Sequence, residues 1–134
     1  MADKDEDEEL LQLNQRLLES IAAGDWQTYQ DLCDPTLTAF EPEGRGHLIA
    51  GLEFHRFYFE LEPSEGPRAT TMSTPVVRRM GDVAVVAYVR LVQSVTDSGG
   101  PVTSHFEETR VWQLQEGKWR HVHFHRSPCD RREH

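Results

Sequence analysis

Between Thr109 and Arg126 the chain reads TRVWQLQEGKWRHVHFHR, which places two tryptophans, three histidines and three arginines on what the pattern predicts to be one β-hairpin. Three chemistries come into question. His121, His123 and His125 alternate, so on a regular strand they point the same way and could chelate zinc or copper. Arginines among apolar neighbours offer the planar fork that receives a carboxylate. A cysteine beside a histidine would make a nucleophile, but Cys33 falls on an apolar helical face and Cys129 lies near the C-terminus, neither with an evident base. The chain has no phosphate-cradling glycine loop, dinucleotide fingerprint or G-x-S-x-G elbow. No cysteine or orienting partner accompanies the histidines, so neither a metal nor any other cofactor is expected, and they read better as hydrogen-bonding groups at a subunit contact or on a partly wet surface. A carboxylate base, Glu41 or Glu108, would need a raised pKa, whereas arginine neighbours lower it. No catalytic residue is expected.

The elements that must position these side chains follow from spacing. Leu10, Leu13, Leu17 and Ile21, flanked by Leu11 and Leu18, keep helical period through ELLQLNQRLLESIAAG, and Gly24 suits the left-handed position that ends a helix. Asp25 then caps a short second helix, WQTYQDLC, which Asp34-Pro35 stops. TLTAF reads as a short strand and EPEGRGH as a loop. A third helix is expected over about 47–61, with Leu48, Leu52, His55 and Phe59 one turn apart and enough aromatic residues for burial on more than one side. After EPSEGPR the pattern turns to strands at about 70–80, 82–96, 102–115 and 118–127, joined by Gly81-Asp82, DSGG and Glu116-Gly117. Helices followed by an antiparallel meander define an α+β domain with the helices on one face of the sheet.

Parity then sorts the arginines. On 102–115 the even residues Phe106, Glu108, Arg110, Trp112 and Leu114 carry the apolar mass. On 118–127, Val122, Phe124 and Arg126 share one face and Trp119, His121, His123 and His125 the other. On 82–96, Val86, Tyr88, Arg90 and Val92 oppose Val83, Val85, Val89 and Leu91, so this strand is apolar on both sides, as a sheet covered by helices on one face and a second subunit on the other would be. Arg90, Arg110 and Arg126 therefore point toward one cavity between sheet and helices, with Tyr29 and His55 as helix-side neighbours. Two readings stay open: Glu41, Glu108 or another acid neutralises each arginine within the core, or the cluster receives a carboxylate.

Composition sets the frame. The 134 residues suit one domain, and the net charge of −9 is concentrated in residues 1–9, which hold six acids and one lysine. That balance argues against nucleic acid, and no apolar run is long enough to cross a membrane. The N-terminus has neither the basic nor the apolar part of a secretory signal, so a reducing, cytoplasmic setting without a disulfide is expected. Residues 1–9 are expected to be an acidic, flexible head, 10–127 the domain and 128–134 a tail.

The segments GDWQTYQDLCDPTLTAFEPEGRGHLIAGLEFHRFYFE, MGDVAVVAYVRL, EETRVW and GKWRHVHFHRS resemble the association, or hub, domain of the type II calcium/calmodulin-dependent protein kinases, from about Leu10 to Ser127. The resemblance implies the cone-shaped nuclear-transport-factor-2-like fold, with a long N-terminal helix and two shorter ones packed on a curved antiparallel sheet. It implies self-assembly as a homo-oligomer of two stacked rings, twelve or fourteen subunits in all, and as partners related hub domains and the kinase domain or linker of a related kinase. It also implies an arginine-lined pocket for a small carboxylate or a peptide segment, matched here by Arg90, Arg110, Arg126, His55 and Tyr29, to which the reading of the residues adds Glu41 as a ligand-binding candidate. The tryptophan that often flips at the pocket mouth in that family has no counterpart in ELEPSEGPR. No kinase segment accompanies the domain, so no enzyme activity is expected of this chain.

Overall fold

The computed structural model describes residues 2–61 and 66–129, with the backbone alone for residues 2–4. Helix α1 (Ala2–Ala23) buries Leu10, Asn14, Leu17 and Leu18, the stripe that its spacing predicts. It begins eight residues before Leu10, so the acidic stretch expected to be a flexible head is the first part of this helix, and Glu6 reaches Arg79 at 3.0 Å. Gly24, at φ +68°, closes it. Asp25 then caps α2 (Trp26–Leu32), accepting from the Thr28 amide and hydroxyl at 3.2 and 2.7 Å.

The strands are β1 (Cys33–Phe40), β2 (Ile49–Ala50), β3 (Ala69–Met80), β4 (Val83–Val95), β5 (Pro101–Gln115) and β6 (Lys118–Pro128), in the order β2-β1-β6-β5-β4-β3. The antiparallel meander β3 to β6 matches its expected boundaries closely. Two features depart from expectation. β1 is longer than TLTAF, takes Cys33 from the second helix, and pairs with β6 in parallel. The third helix is shorter, because Gly51 at φ +85° breaks the chain between β2 and α3 (Glu53–Phe59) and sends its N–H to the Leu37 carbonyl at 2.7 Å. Leu48 falls outside the helix and is exposed, and Phe57 and Tyr58, on α3 itself, are exposed as well rather than buried on a second side.

Parity holds along β4 and β5 but fails in β6. Val111 pairs with His123 and Trp112 with His121, so Val122 is an extra residue in β6 without a partner of its own. The bulge switches faces: Trp119 and His121 join Phe124 in the core, while His123 and His125 stay on the outer face. Grouping Trp119 and His121 with the outer histidines is therefore incorrect. No helix among the described residues is long and apolar enough to cross a membrane.

Asn14 occupies a core position on α1 and ties the helix to the sheet. Its carbonyl accepts from the Trp112 indole N–H at 2.9 Å and its amide donates to the Tyr88 hydroxyl at 3.0 Å. Asn14→Ala leaves the buried indole donor unpaired. Denaturant unfolding at matched protein concentration should show a loss of about 1–3 kcal/mol, with no change in strand content by circular dichroism.

Candidate functional site

All six residues named from the sequence line one cavity of about 290 Å³ between the inner face of the sheet and the helices. β4, β5 and β6 bring Arg90, Arg110 and Arg126. α2 brings Tyr29, α3 brings His55, and Glu41 follows the end of β1. Phe59, Phe106 and Phe124 supply apolar wall, and Glu43 stands at the rim.

The deep end is built on Glu108. Its carboxylate is fully buried and accepts from Arg90 Nη1 at 3.3 Å, from Arg110 Nε at 3.1 Å and from the Tyr88 hydroxyl at 2.5 Å, with Arg110 Nη2 ion-paired 3.1 Å away. Burial pushes this carboxyl up, but the charges of Arg110 and Arg90 and the Tyr88 hydrogen bond outweigh it, and its pKa lies below the ordinary value. Burial pushes the Arg110 guanidinium down, and Glu108 more than reverses this. For Arg90 burial prevails over the same carboxylate. Arg90 Nε also donates to Thr70 Oγ1 at 3.0 Å, and Arg110 lies over the Phe124 ring at 4.3 Å.

The outer end is built on Glu41. His55 Nε2 lies 2.6 Å from its Oε2, and Arg126 Nη2 lies 3.3 Å from its Oε1 and also bonds Glu43. Here too burial raises the carboxyl and is outweighed, by His55 first and then Arg126. Arg126 stacks on Phe106 at 4.8 Å. His55 is buried, and its Nδ1 has no hydrogen-bond partner among the described residues. A buried ring nitrogen without a partner on the wall of a cavity is a ready contact for a ligand.

Neutralisation within the core and a cavity wall thus coexist: each arginine has an acid partner and still faces the cavity. The histidines do not act together. His121 is buried between Arg110 Nη1, 3.4 Å from its Nε2, and Cys33 Sγ, 3.5 Å from its Nδ1. His123 meets Thr38 Oγ1 at 2.7 Å, and His125 lies beside the Phe40 ring at 5.7 Å. Among the described residues no three metal-ligating side chains converge. Burial pushes the Cys33 thiol up to about 12, which removes it as a nucleophile. Sequence reasoning missed Asn14 and Glu43. Asn14 was detectable as a polar residue on an apolar helical stripe, whereas nothing in EPEGRGH says which acid meets an arginine 83 positions later.

The architecture is that of a nuclear-transport-factor-2-like α+β cone. A protein of that superfamily from Salmonella enterica superposes with a TM-score of 0.75 at 22% identity, covering 93% of this chain and 92% of its own. The profile of the calcium/calmodulin dependent protein kinase II association domain matches residues 6–130, and the chain belongs to that family. It is 49% identical over 123 residues to the type II calcium/calmodulin-dependent protein kinase subunit delta of Oryctolagus cuniculus, a match covering 90% of this chain and 23% of the relative, so the chain spans about a quarter of that protein's length. The hub homology domain of Chlamydamonas reinhardtii CamKII superposes with a TM-score of 0.87 at 48% identity, over 92% of this chain and 98% of that one.

Two buried groups set the acid limit of stability. Burial, and then the Arg110 charge, hold His121 well below its ordinary 6.5, so the fold favours neutral imidazole. Its contribution is present above that value and is lost as pH falls below it. Glu108, depressed in the fold, contributes above the ordinary carboxylate range and loses this as pH falls further. Unfolding midpoints should therefore decline in two stages on acidification, and His121→Gln should remove the upper one. Glu108→Gln leaves two guanidiniums without a buried counter-charge and should cost about 3–5 kcal/mol at neutral pH.

Proposed function

We propose that the chain is a self-association module that closes into two stacked rings, with twelve or fourteen subunits in all, and carries a pocket for a small carboxylate or a carboxylate-bearing peptide segment. The observation that carries the assembly is the family match over nearly the whole chain. The outer face of β4 fits it: Val83, Val85, Val89 and Leu91 form a half-exposed apolar row on the side of the sheet that faces away from α1. A ring contact is heterologous and closes at an angle its surfaces set. Related hub domains, or the kinase domain and linker of a related kinase, are the partners such a module would organise. Light scattering should give a mass about twelve to fourteen times that of one chain; the mass of a single chain would overturn the assembly.

The pocket reading rests on three guanidiniums and an apolar wall of Phe59, Phe106 and Phe124 around one cavity. A carboxylate would take the Arg126 edge, with its apolar body against Phe59, Phe106 and Phe124. General-base catalysis by Glu41 or Glu108 is disfavoured by the same charges, because each is held below the ordinary carboxylate value rather than above it. A ligand that binds only the native state raises its stability by about 2.7 kcal/mol at a hundred times its dissociation constant. Saturating phenylacetate should accordingly raise the thermal midpoint of the wild type by several degrees and leave that of Arg126→Met unmoved. Equal shifts in the two proteins would place the binding elsewhere.

A further inference from the structure

The charges around the cavity balance. Arg90 and Arg110 share Glu108, while Arg126 is held by Glu41 and Glu43. The three guanidiniums are thus matched by three carboxylates, and an incoming anion finds no guanidinium without an acid partner unless one acid withdraws. The three acids differ in their freedom to do so. The side chain of Glu108 has no exposed surface and that of Glu41 only 7%, and each is fixed by several partners, whereas that of Glu43 is 41% exposed and, among the described residues, bonds only Arg126.

Glu43 also sits where it can leave without disturbing the backbone. It lies in the short helical turn Pro42–Gly44, which the Gly44 N–H closes on the Glu41 carbonyl at 2.9 Å and the Arg45 N–H on the Pro42 carbonyl at 3.1 Å. Gly44 lets this turn rest on Ile49: a Cβ there would come within 3.0 Å of Ile49 Cδ1. The turn is held by its own backbone and by Ile49, and the Glu43 carboxylate swings on side-chain torsions alone.

We infer that Glu43 is a tethered competitor for the pocket's anion position, holding Arg126 until an external carboxylate displaces it. This rests on the carboxylate reading proposed above and narrows its ligand class. Only one guanidinium can be freed, because the pair on Glu108 would be left with a buried, unpaired charge if that acid moved. The pocket therefore takes a singly charged acid with an apolar body, in preference to a dicarboxylate or a phosphate dianion. Glu43 sets the affinity, since every binding event must first break its contact with Arg126.

Calorimetric titration of phenylacetate and of its neutral analogue phenylacetamide into the assembled wild-type chain and Glu43→Gln tests this. Glu43 is at the rim, and light scattering establishes that the variant keeps the wild-type mass. Phenylacetate should bind Glu43→Gln about two- to fivefold more tightly than wild type, the range for a partly exposed ion pair, with no change for phenylacetamide. Equal phenylacetate affinities would overturn the competitor role and leave the pocket standing. A parallel gain for phenylacetamide would overturn it too, because Glu43 would then act through shape. Absence of phenylacetate binding to both proteins would remove the pocket reading and the competitor with it.

Discussion

One buried carboxylate organises the interior of the cone. Glu108 lies on the inner face of the sheet with Arg90 and Arg110 on either side, and none of the three could remain there alone. The hydroxyl of Tyr88 completes the carboxylate's coordination, Asn14 donates to that hydroxyl, and Trp112 donates to Asn14. A chain of hydrogen bonds therefore leads from an ion cluster on the sheet to the long N-terminal helix. Apolar packing alone would let that helix slide or rotate by small amounts at little cost, whereas four polar groups with fixed directions allow one register. The cluster is expensive to bury, and what it returns is a single placement of the helix over the sheet.

The same cluster gives the cavity its character. Had the inner face been apolar throughout, the space between sheet and helices would have filled with side chains. Arginine and glutamate side chains held rigidly against one another leave room instead, and Phe106, Phe124 and Tyr29 frame it. The two ends of the cavity divide the work. At the deep end, Glu108 has its charges committed to holding the fold together. At the outer end, Glu41 and His55 are tied to the end of β1 and the short helix α3, and His55 carries a ring nitrogen without a partner among the described residues.

Much of this was legible in the residues because it depends on local rules. Gly24 and Asp25 mark the helix boundary through backbone conformation and capping, and strict alternation in β4 and β5 put Arg90, Glu108 and Arg110 on one face. The misplacements share a different origin. Val122 is an ordinary strand residue, and only its pairing with β5 makes it a bulge, so the inward turn of Trp119 and His121 leaves no local trace. The parallel partnership of β1 with β6 joins residues some 85 positions apart, as Thr38 with His123 shows. Gly51 delays the start of a helix that apolar spacing alone would have begun near 47, because a positive φ overrides periodicity. The arginines were found without the family, but their partners were found only in part, since an ion pair across the fold is decided by where two elements meet.

The parallel pairing of β1 with β6 also bears on how the chain reaches this state. The meander from β3 to β6 can zip through neighbouring turns, each closing a short loop. β1, although made first, finds its place only when the last strand exists, and that closure spans most of the sequence. Contacts of such separation form late and slowly, because the entropy of the intervening chain must be given up before they stabilise anything. The wall that carries Glu41 is attached to the end of β1. The cavity is therefore absent from any intermediate that lacks this strand, and its appearance during refolding marks completion of the subunit rather than collapse of the sheet.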